Sequence, residues 1–380
     1  MPDQLAPELL DLRERMQRFV DDDLRPLEER AEASDIDEGD LRLEVIARSR
    51  NLGFFGMTQP EEFGGTQAGP LALAVVRETL AAANLGAGRS VFGPGPGALQ
   101  GATGLLREQY LYPVMRGEKR GAFAFTEPSD AERPTWARRD GDDLVVTGRK
   151  PFVTGGHLAD FYSVFATVEE DASGPGGAAM LIVDSGTPGL VLDPPFSTLD
   201  GATHCPLRFE EMRVPQSHVL GTIGEGMPQA LGNIGQMRLG LAAQACGTAI
   251  WVTKYVFDTL QKREAAGGPP GLRDQARAAL GQMMMETYVA RSAFYRSARL
   301  AESEEDILNE GSIAKLFAAE AAGRIVVQAI QVIGADSLIE GHPLARLFRV
   351  TRSWRFSEGS SEMLRGSIAR GLLEFDAGRV

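Results

Sequence analysis

The sequence contains few cysteines and few histidines, which excludes two kinds of site. Its 380 residues include two cysteines, Cys205 and Cys246, and four histidines. Two cysteines cannot form a disulfide framework, and neither residue type occurs at the spacing of metal ligands, so we assign no metal. The adjacent pair His204 and Cys205 would point to opposite faces of an extended segment, so we interpret both as structural residues.

The chain also lacks an excess of basic residues. It has 39 Lys and Arg residues against 52 Asp and Glu residues, which gives a net charge of −13. This balance excludes a nucleic-acid footprint and a general attraction to anionic membranes. The N-terminal residues show no basic stretch or apolar run typical of a secretory signal, and no apolar run is long enough to span a bilayer. We therefore expect a cytoplasmic protein.

The hydrophobic pattern divides the chain into three parts. Helical spacing predicts a helical domain over residues 1–119, short runs between turns predict a β-barrel or sandwich over 120–226, and long helical patterns predict a four-helix bundle over 227–380. The fold class is therefore α+β and multidomain, and residues 169–177 are predicted to form a hairpin loop within the β-domain. The predicted helices cover residues 5–27, 41–52, 70–85, 105–116, 228–265, 272–301, 306–333 and 352–375.

The strongest indication of chemistry is a carboxylate in a turn near the C-terminus. Residues 354–362 read WRFSEGSSE and resemble the Tyr-Glu-Gly-Thr-Ser-Glu segment of acyl-CoA dehydrogenases, whose first glutamate is the catalytic base. Glu358 takes that position. Removing the weakly acidic α-proton of a thioester needs a desolvated carboxylate held over the carbon. This segment alone favours a different interpretation, in which Ser360 or Ser361 caps the following helix and Glu362 lies in its first turn.

Five further strings resemble the same family and occur in its order along the chain. They are GFFGMTQPEEFGG (family GLLGLTIPEEYGG), EQYLYPVMRGEKRGAFAFTEP (YLPPLASGEKIGAFALTEP), DGDDLVVTGRKPFVTGG (DGDHYVLNGSKMWITNG), FEEMRVPQSHVLGTIGEG (FEDVRVPAENLLGEEGEG) and GSIAKLFAAEAAGRIVVQAIQVIG, which matches the family's penultimate helix. The order of helical domain, β-domain and helical bundle matches as well. The chain is therefore identified as a member of the acyl-CoA dehydrogenase family over nearly its whole length.

The resemblance implies that several residues bind FAD. Thr126 matches a threonine that holds the flavin ring through hydrogen bonds, and Thr154 matches a threonine near flavin N5. Phe152 replaces a tryptophan that packs on the isoalloxazine, and Ser129 matches a serine that contacts phosphate. Without the family, strand propensity alone would explain both threonines. The resemblance also places two further residues at the cofactor: Gly334 and Ser360.

Three residues are predicted to contact the substrate. Arg238 matches an arginine near the CoA and the active-site cleft, and Met237 and Gly359 are expected beside it. Met237 stands at the alternative base position that some family members use, where a methionine cannot take a proton. A surface ion pair is the alternative interpretation of Arg238.

The reaction implied is the α,β-dehydrogenation of an acyl-CoA thioester. Glu358 removes the α-proton, FAD accepts the β-hydride, and a 2,3-enoyl-CoA results. Electrons then leave to an electron-transferring flavoprotein. We also expect a tetramer, because the bundle helices carry many small residues that allow close helix approach; they are Ala242, Ala243, Ala245, Gly247, Ala318, Ala319, Ala321 and Ala322. The length, branching and ring content of the acyl group are not indicated.

Three departures from the family concern the FAD diphosphate and adenine. A Gly-Ala-Gly segment is missing after the Thr-Glu-Pro of residues 126–128, which removes backbone donors from a pyrophosphate site. The family's RKQFG, whose arginine reaches FAD across a subunit interface, is not found near residues 258–268. The family's QIHGGYG appears as QVIGADS at residues 331–337, where Asp336 adds negative charge.

These departures leave three alternatives open. The chain could form a heterotetramer with a homologous subunit that completes the FAD site. It could be a non-catalytic, acyl-CoA-binding or scaffold subunit of such an assembly. It could also be a flavin monooxygenase of the same fold.

The eroded half-site predicts that the chain expressed alone holds FAD substoichiometrically. Losing a few charge-assisted or backbone hydrogen bonds, each worth about 1.5–3 kcal/mol, weakens binding by several orders of magnitude. The flavin absorbance per chain after purification measures this, and co-expression with a homologous partner should restore flavin content and activity together. Full, tightly held FAD in the chain purified alone would contradict the half-site.

Overall fold

The computed structural model describes residues 5–231, 234–266, 273–303 and 305–375. The chain folds into two compact units, one formed by Met1–Gly93 with Gly235–Val380 and the other by Pro94–Ile234. The first unit is helical and the second contains the sheet. The three-domain boundaries expected from the sequence stay a prediction.

The described residues form twelve α-helices, and most of them lie in the first unit. In chain order the helices are α1 (Pro7–Arg18), α2 (Arg25–Glu32), α3 (Glu38–Leu52), α4 (Pro70–Ala81), α5 (Gly104–Leu106), α6 (Tyr112–Arg116), α7 (Gly226–Leu231), α8 (Ile234–Ala265), α9 (Arg273–Glu302), α10 (Leu308–Ile333), α11 (Pro343–Ser353) and α12 (Ser361–Phe375). The predicted helix over 228–265 corresponds to α7 and α8, and part of the predicted break after it, residues 267–271, lies outside the described residues.

Two helices pass through prolines at which the sequence predicts or permits a break. The predicted helix over 5–27 does not end near Pro26, because a π-helical turn at Phe19–Leu24 carries the chain from α1 into α2. A second π-helical turn, Arg107–Leu111, precedes Pro113 in the same way. The wider turn changes the hydrogen-bond spacing just before the proline, so that the missing N–H is accommodated at the start of the next helical segment.

The last predicted helix, over 352–375, is wrong in its first third. Helix α11 ends at Ser353 and α12 begins at Ser361. Residues 354–360 form the turn between them, which we call the carboxylate turn. It places Glu358 outside both helices.

The small residues of the bundle lie inside the chain's own core. All eight alanines and glycines on which the tetramer was expected to depend are buried in α8 and α10. A Cβ at Gly247 would lie 2.5 Å from the Cβ of Ala81, so the small residues let α8 approach α4 within one subunit. In the tetramer that the sequence predicts, contacts between subunits would therefore use other residues.

The second unit is built on one large sheet. Its strands are β1 (Gly121–Ala124), β2 (Trp136–Asp140), β3 (Asp143–Lys150), β4 (Phe161–Val168), β5 (Gly177–Asp184), β6 (Leu190–Leu192), β7 (Phe196–Ser197), β8 (Thr203–His204), β9 (Leu207–Pro215) and β10 (Val219–Leu220). Eight of them form the order β10-β5-β4-β2-β3-β9-β6 with β1 beside β4, and β7 pairs with β8. The predicted hairpin loop over 169–177 is confirmed, since β4 and β5 are antiparallel neighbours joined by it.

Buried strand residues alternate with exposed ones on several strands and form the core of this unit. Strand β1 buries every second residue, and β3 keeps three consecutive apolar residues buried. The pairing of β3 with β9 has an irregularity between Val146 and Gly148. Beyond it, β3 ends at Lys150 and leads into the loop that contains Phe152 and Thr154.

Among the described residues, one helix, α10, is long and apolar enough to cross a membrane by length and composition alone. Half of its most apolar stretch (50%) is buried inside the fold, as in the core helix of a bundle. Among the described residues, no group of three or more His, Cys, Asp or Glu side chains could hold a metal ion.

Candidate active site

The carboxylate turn is anchored at both ends. Trp354, at its start, is buried in the core of the helical unit together with residues of α8 and α10. At its end, the Ser361 N–H donates to the Arg355 carbonyl oxygen at 2.9 Å. Because both ends are held, the backbone between them has few conformations available.

Glu358 has a backbone conformation that residues with a Cβ rarely adopt. Its φ is +55°, in the left-handed region, and the next residue, Gly359, has a φ of +105°. Such backbone at a non-glycine residue costs of the order of 1–3 kcal/mol and persists only where the surroundings enforce it. The conformation is therefore held by other groups.

Two cations from neighbouring helices bond the carbonyl groups of this turn. Arg238 Nε on α8 donates to the Glu358 carbonyl oxygen at 3.2 Å, and Lys315 Nζ on α10 donates to the Gly359 carbonyl oxygen at 2.7 Å. Arg238 is fixed in turn by Nη1, which donates to Ser312 Oγ at 2.9 Å. All three side chains are buried. Consecutive carbonyls of the turn are thus held from two helices.

The Glu358 carboxylate itself has no hydrogen-bond or ion-pair partner among the residues that the structure describes. Burial raises the pKa of its carboxyl above the ordinary value, while the charges of Lys315 and Arg238 act in the opposite direction. The pKa of Lys315 is lowered to about 8, mainly by burial and also by the charge of Arg238, while the charges of Glu358 and Glu320 oppose the change. An unpaired, partly desolvated carboxylate of raised pKa has the properties of a general base.

Two backbone N–H groups of the turn have no backbone acceptor. Within the described chain, the N–H groups of Glu358 and Gly359 donate to no backbone carbonyl. Glycine suits position 359 because its φ of +105° strains any residue with a Cβ; a Cβ there would also meet the flexible end of Met363 at 2.6 Å and Leu364 Cδ2 at 3.1 Å. A ligand at this turn would meet a carboxylate and an N–H donor on the same residue.

Two further residues were predicted to contact a ligand: Ser360 in the carboxylate turn and Met237 on α8. Ser360 Oγ accepts a hydrogen bond from the Met363 N–H at 3.2 Å, so this hydroxyl caps α12 as the alternative interpretation proposed. Its role toward FAD stays a prediction. Met237, next to Arg238, has an exposed side chain.

The residues predicted to hold the flavin ring lie on two loops of the sheet unit. Thr126 follows β1, and Phe152 and Thr154 follow β3; all three are exposed, Phe152 to 49%. Phe152 packs edge-on against His204 and Phe196 at centroid distances of 5.5 Å. An exposed aromatic face with hydroxyl groups beside it fits a planar ring that needs both stacking and hydrogen bonds.

An ion pair between a buried lysine and a half-buried glutamate positions the loop that contains Thr126. Lys150, at the end of β3, pairs with Glu127 and donates to the Phe125 carbonyl oxygen at 2.9 Å. Glu127 also accepts from the N–H and hydroxyl of Thr135 at 3.1 and 3.0 Å. The residues on both sides of Thr126 are therefore fixed to β3.

The surroundings of Ser129 fit a phosphate less well. Ser129 is exposed beside the acidic Asp130, and the nearby cation Arg149 already pairs with Asp130 at 3.1 Å. A diphosphate at this position would meet a carboxylate and a cation that is already paired. The surroundings of Ser129 therefore fit a diphosphate less well than those of Phe152 and Thr154 fit a flavin ring.

The C-terminus of α10 is also bonded by an arginine of this chain. Arg263 donates to the carbonyl oxygens of Val332 and Ile333 at 2.9 and 2.7 Å, which caps this C-terminus. Gly334 follows with a φ of +94°, and Asp336 lies in the next turn. The sequence lacks the family's RKQFG near residues 258–268. Arg263, which lies in this region, caps a helix of its own chain.

Sequence reasoning missed Lys315 and did not place His204 beside Thr154. Lys315 occupies the buried stripe of α10 with Ser312, Ala318 and Ala319, and a lysine at a core position of an apolar helix was the available signal. His204, interpreted as structural, has its Nδ1 3.3 Å from Thr154 Oγ1.

Comparison with known proteins gives matches along the whole chain. Family models described as Acyl-CoA dehydrogenase match residues 6–118 (N-terminal domain), 122–212 (middle domain) and 224–373 (C-terminal domain). The 3-(aryl)acrylate reductase of Clostridium sporogenes is 31% identical over 96% of this chain and 98% of its own length. The human mitochondrial short-chain specific acyl-CoA dehydrogenase is 32% identical over 86% of this chain and 82% of its own.

Solved structures agree with these matches. Butyryl-CoA dehydrogenase from Megasphaera elsdenii superimposes with a TM-score of 0.78 at 26% identity, covering 98% of this chain and 100% of that chain. An acyl-CoA dehydrogenase from Geobacillus kaustophilus gives a TM-score of 0.80 at 26% identity, covering 97% and 99%.

The geometry predicts that Gly359→Ala distorts the carboxylate turn. The new Cβ would stand on left-handed backbone and against Met363 and Leu364. We expect a loss of stability of about 1–3 kcal/mol and a fall in activity on the order of a hundred-fold. Denaturant unfolding and the rate of flavin reduction by acyl-CoA measure both.

Gly366→Ala is the matched control. Gly366 is exposed within α12, and a Cβ there meets no atom within 4 Å. Alanine should therefore stabilise the helix by up to about 1 kcal/mol and leave activity unchanged. Equal effects of the two substitutions would contradict the role assigned to Gly359.

Proposed function

The chain belongs to the acyl-CoA dehydrogenase family, and we propose that it converts an acyl-CoA thioester to the 2,3-enoyl-CoA with Glu358 as the base. As a member of this family it is an FAD-dependent oxidoreductase acting on acyl-CoA. The substrate's acyl group is not assigned.

One observation supports this proposal above the others. The Glu358 carboxylate is unpaired within the described chain, although two buried cations bond the carbonyls of Glu358 and Gly359. A structural glutamate near two cations would be expected to pair with them. An unpaired carboxylate of raised pKa suits the removal of a weakly acidic proton.

The chain's own groups then account for the proton and for the charge that forms. Glu358 takes the α-proton, and its backbone N–H donates to the thioester oxygen, where negative charge accumulates. The positive charges of Arg238 and Lys315 lie beside the turn and offset part of that charge. When bound, FAD supplies the acceptor for the β-hydride, and Thr126, Phe152 and Thr154 would hold its ring.

The same residues serve the opposite direction of reaction. A relative with 31% identity is named 3-(aryl)acrylate reductase, and by microscopic reversibility a protonated Glu358 would return the proton to the α-carbon. The redox partner sets the direction. We propose an electron-transferring flavoprotein as that partner and a tetramer as the assembly, which is typical of the family.

A second candidate is an acyl-CoA-binding subunit of a heteromer. The acidic Asp130 beside Ser129, with Arg149 already paired to it, favours this candidate because both oppose a diphosphate. Asp336 near the end of α10 has the same effect. A purified chain that stays colourless with added FAD and still binds acyl-CoA would identify this function.

Glu358→Gln tests the proposed base. The amide keeps the shape of the side chain but cannot take a proton, so the rate of flavin reduction by acyl-CoA should fall by at least about 10²–10⁴-fold. Stopped-flow bleaching of the flavin absorbance measures the rate, and the amount of bound flavin should not change. Glu362→Gln, an exposed carboxyl on α12 four residues further on, is the matched control and should be mild. A Glu358→Gln enzyme that reduces its flavin at the wild-type rate would exclude Glu358 as the base.

A further inference from the structure

Lys315 is a buried ammonium that the stability of the helical core does not explain. Its side chain is 0% exposed on α10, among the small apolar residues of that helix. Within the described chain no carboxylate lies within ion-pair distance of it. Burying an ammonium without such a partner is costly, and an apolar residue of similar volume at such a site is often neutral or more stable.

The hydrogen bond that Lys315 makes goes to the carboxylate turn. Nζ donates to the Gly359 carbonyl oxygen at 2.7 Å, across 44 residues of sequence. Arg238 donates to the preceding carbonyl, that of Glu358, from a different helix. Two donors on consecutive carbonyls restrict rotation of the peptide between them, which joins the two residues with left-handed φ.

This arrangement separates two effects of the positive charge. The donors bond backbone oxygens, so the Glu358 carboxylate stays unpaired. The charges still act on it through space: Lys315 and Arg238 lower the pKa of Glu358 against the larger effect of burial. The groups that act on Lys315 are Arg238 from α8, Glu320 from its own helix and Glu358 from the turn.

We propose that Lys315 is a positioning residue for the base: its bond to the Gly359 carbonyl holds the left-handed backbone that presents the Glu358 carboxylate. The proposal rests on the proposed function, in which Glu358 is the base. Lys315 acts through the turn and touches neither the substrate nor the cofactor in this account.

Lys315→Met tests the proposal, because methionine fills the space without a charge or a donor. We expect a thermal unfolding temperature equal to or above that of the wild type, since the buried charge is gone. The rate of flavin reduction should nevertheless fall on the order of ten- to a hundred-fold. Its pH profile should move to higher pH, because Glu358 loses a charge that lowers its pKa. Lys254→Met, at an exposed lysine of α8 that pairs with Asp258, is the matched control and should change neither rate nor profile.

Lys315→Gln separates the donor from the charge and replaces Lys315→Met if that variant does not fold. It keeps an N–H donor for the Gly359 carbonyl, so the rate should recover part of the loss while the pH profile stays displaced. A wild-type rate and a wild-type profile in both variants, or in Lys315→Gln alone, would overturn the proposal. If Glu358→Gln is also fully active, the proposed function fails instead, and the two failures are distinguishable.

Discussion

Two buried cations bond backbone carbonyls rather than the carboxylate beside them, and the proposed chemistry depends on this choice of acceptor. If Lys315 or Arg238 paired directly with Glu358, the pKa of that carboxyl would be expected to fall, and the base would be weak. Because they bond the carbonyls of Glu358 and Gly359, burial remains the larger influence and the pKa is raised. The cations fix the backbone at Glu358 and leave its carboxylate without an ion-pair partner among the described residues.

The sheet unit uses a buried lysine in a related way with the opposite result. Lys150 also donates to a backbone carbonyl, that of Phe125, but it pairs with Glu127 as well. Since Glu127 is held by Lys150 and Thr135, it cannot act as a free base. Two glutamates near predicted site residues therefore differ by their partners: one fixes a loop, and the other stays available for a proton.

The sequence predicted the parts of the site that local patterns specify. The carboxylate turn, the fold class and the hairpin between β4 and β5 follow from residues close together in the chain. Lys315 could not be assigned, because its partner carbonyl lies 44 residues away and depends on the path of the bundle. The contact between His204 and Thr154 could not be predicted either, since only the pairing of distant segments brings these residues together.

Elsewhere the structure differs from the sequence prediction because the sequence pattern did not show how the backbone continues or how the helices pack. Pro26 indicated a helix end, yet the π-helical turn at Phe19–Leu24 carries the chain past it. Small residues of α8 and α10 indicated contacts between subunits, yet they pack inside one. In both cases the local pattern was present, but contacts between distant parts of the chain determined the structure that formed.

The pH dependence of flavin reduction in the wild-type protein tests the central claim most directly. With saturating acyl-CoA, the rate should rise with pH through one ionisation, because Glu358 takes the proton only when ionised. The apparent pKa of that step should lie above the ordinary glutamate value of about 4.3, since burial outweighs the two cations. A rate that is independent of pH, or an ionisation at or below the ordinary value, would show that Glu358 is not an unpaired, half-buried base of raised pKa.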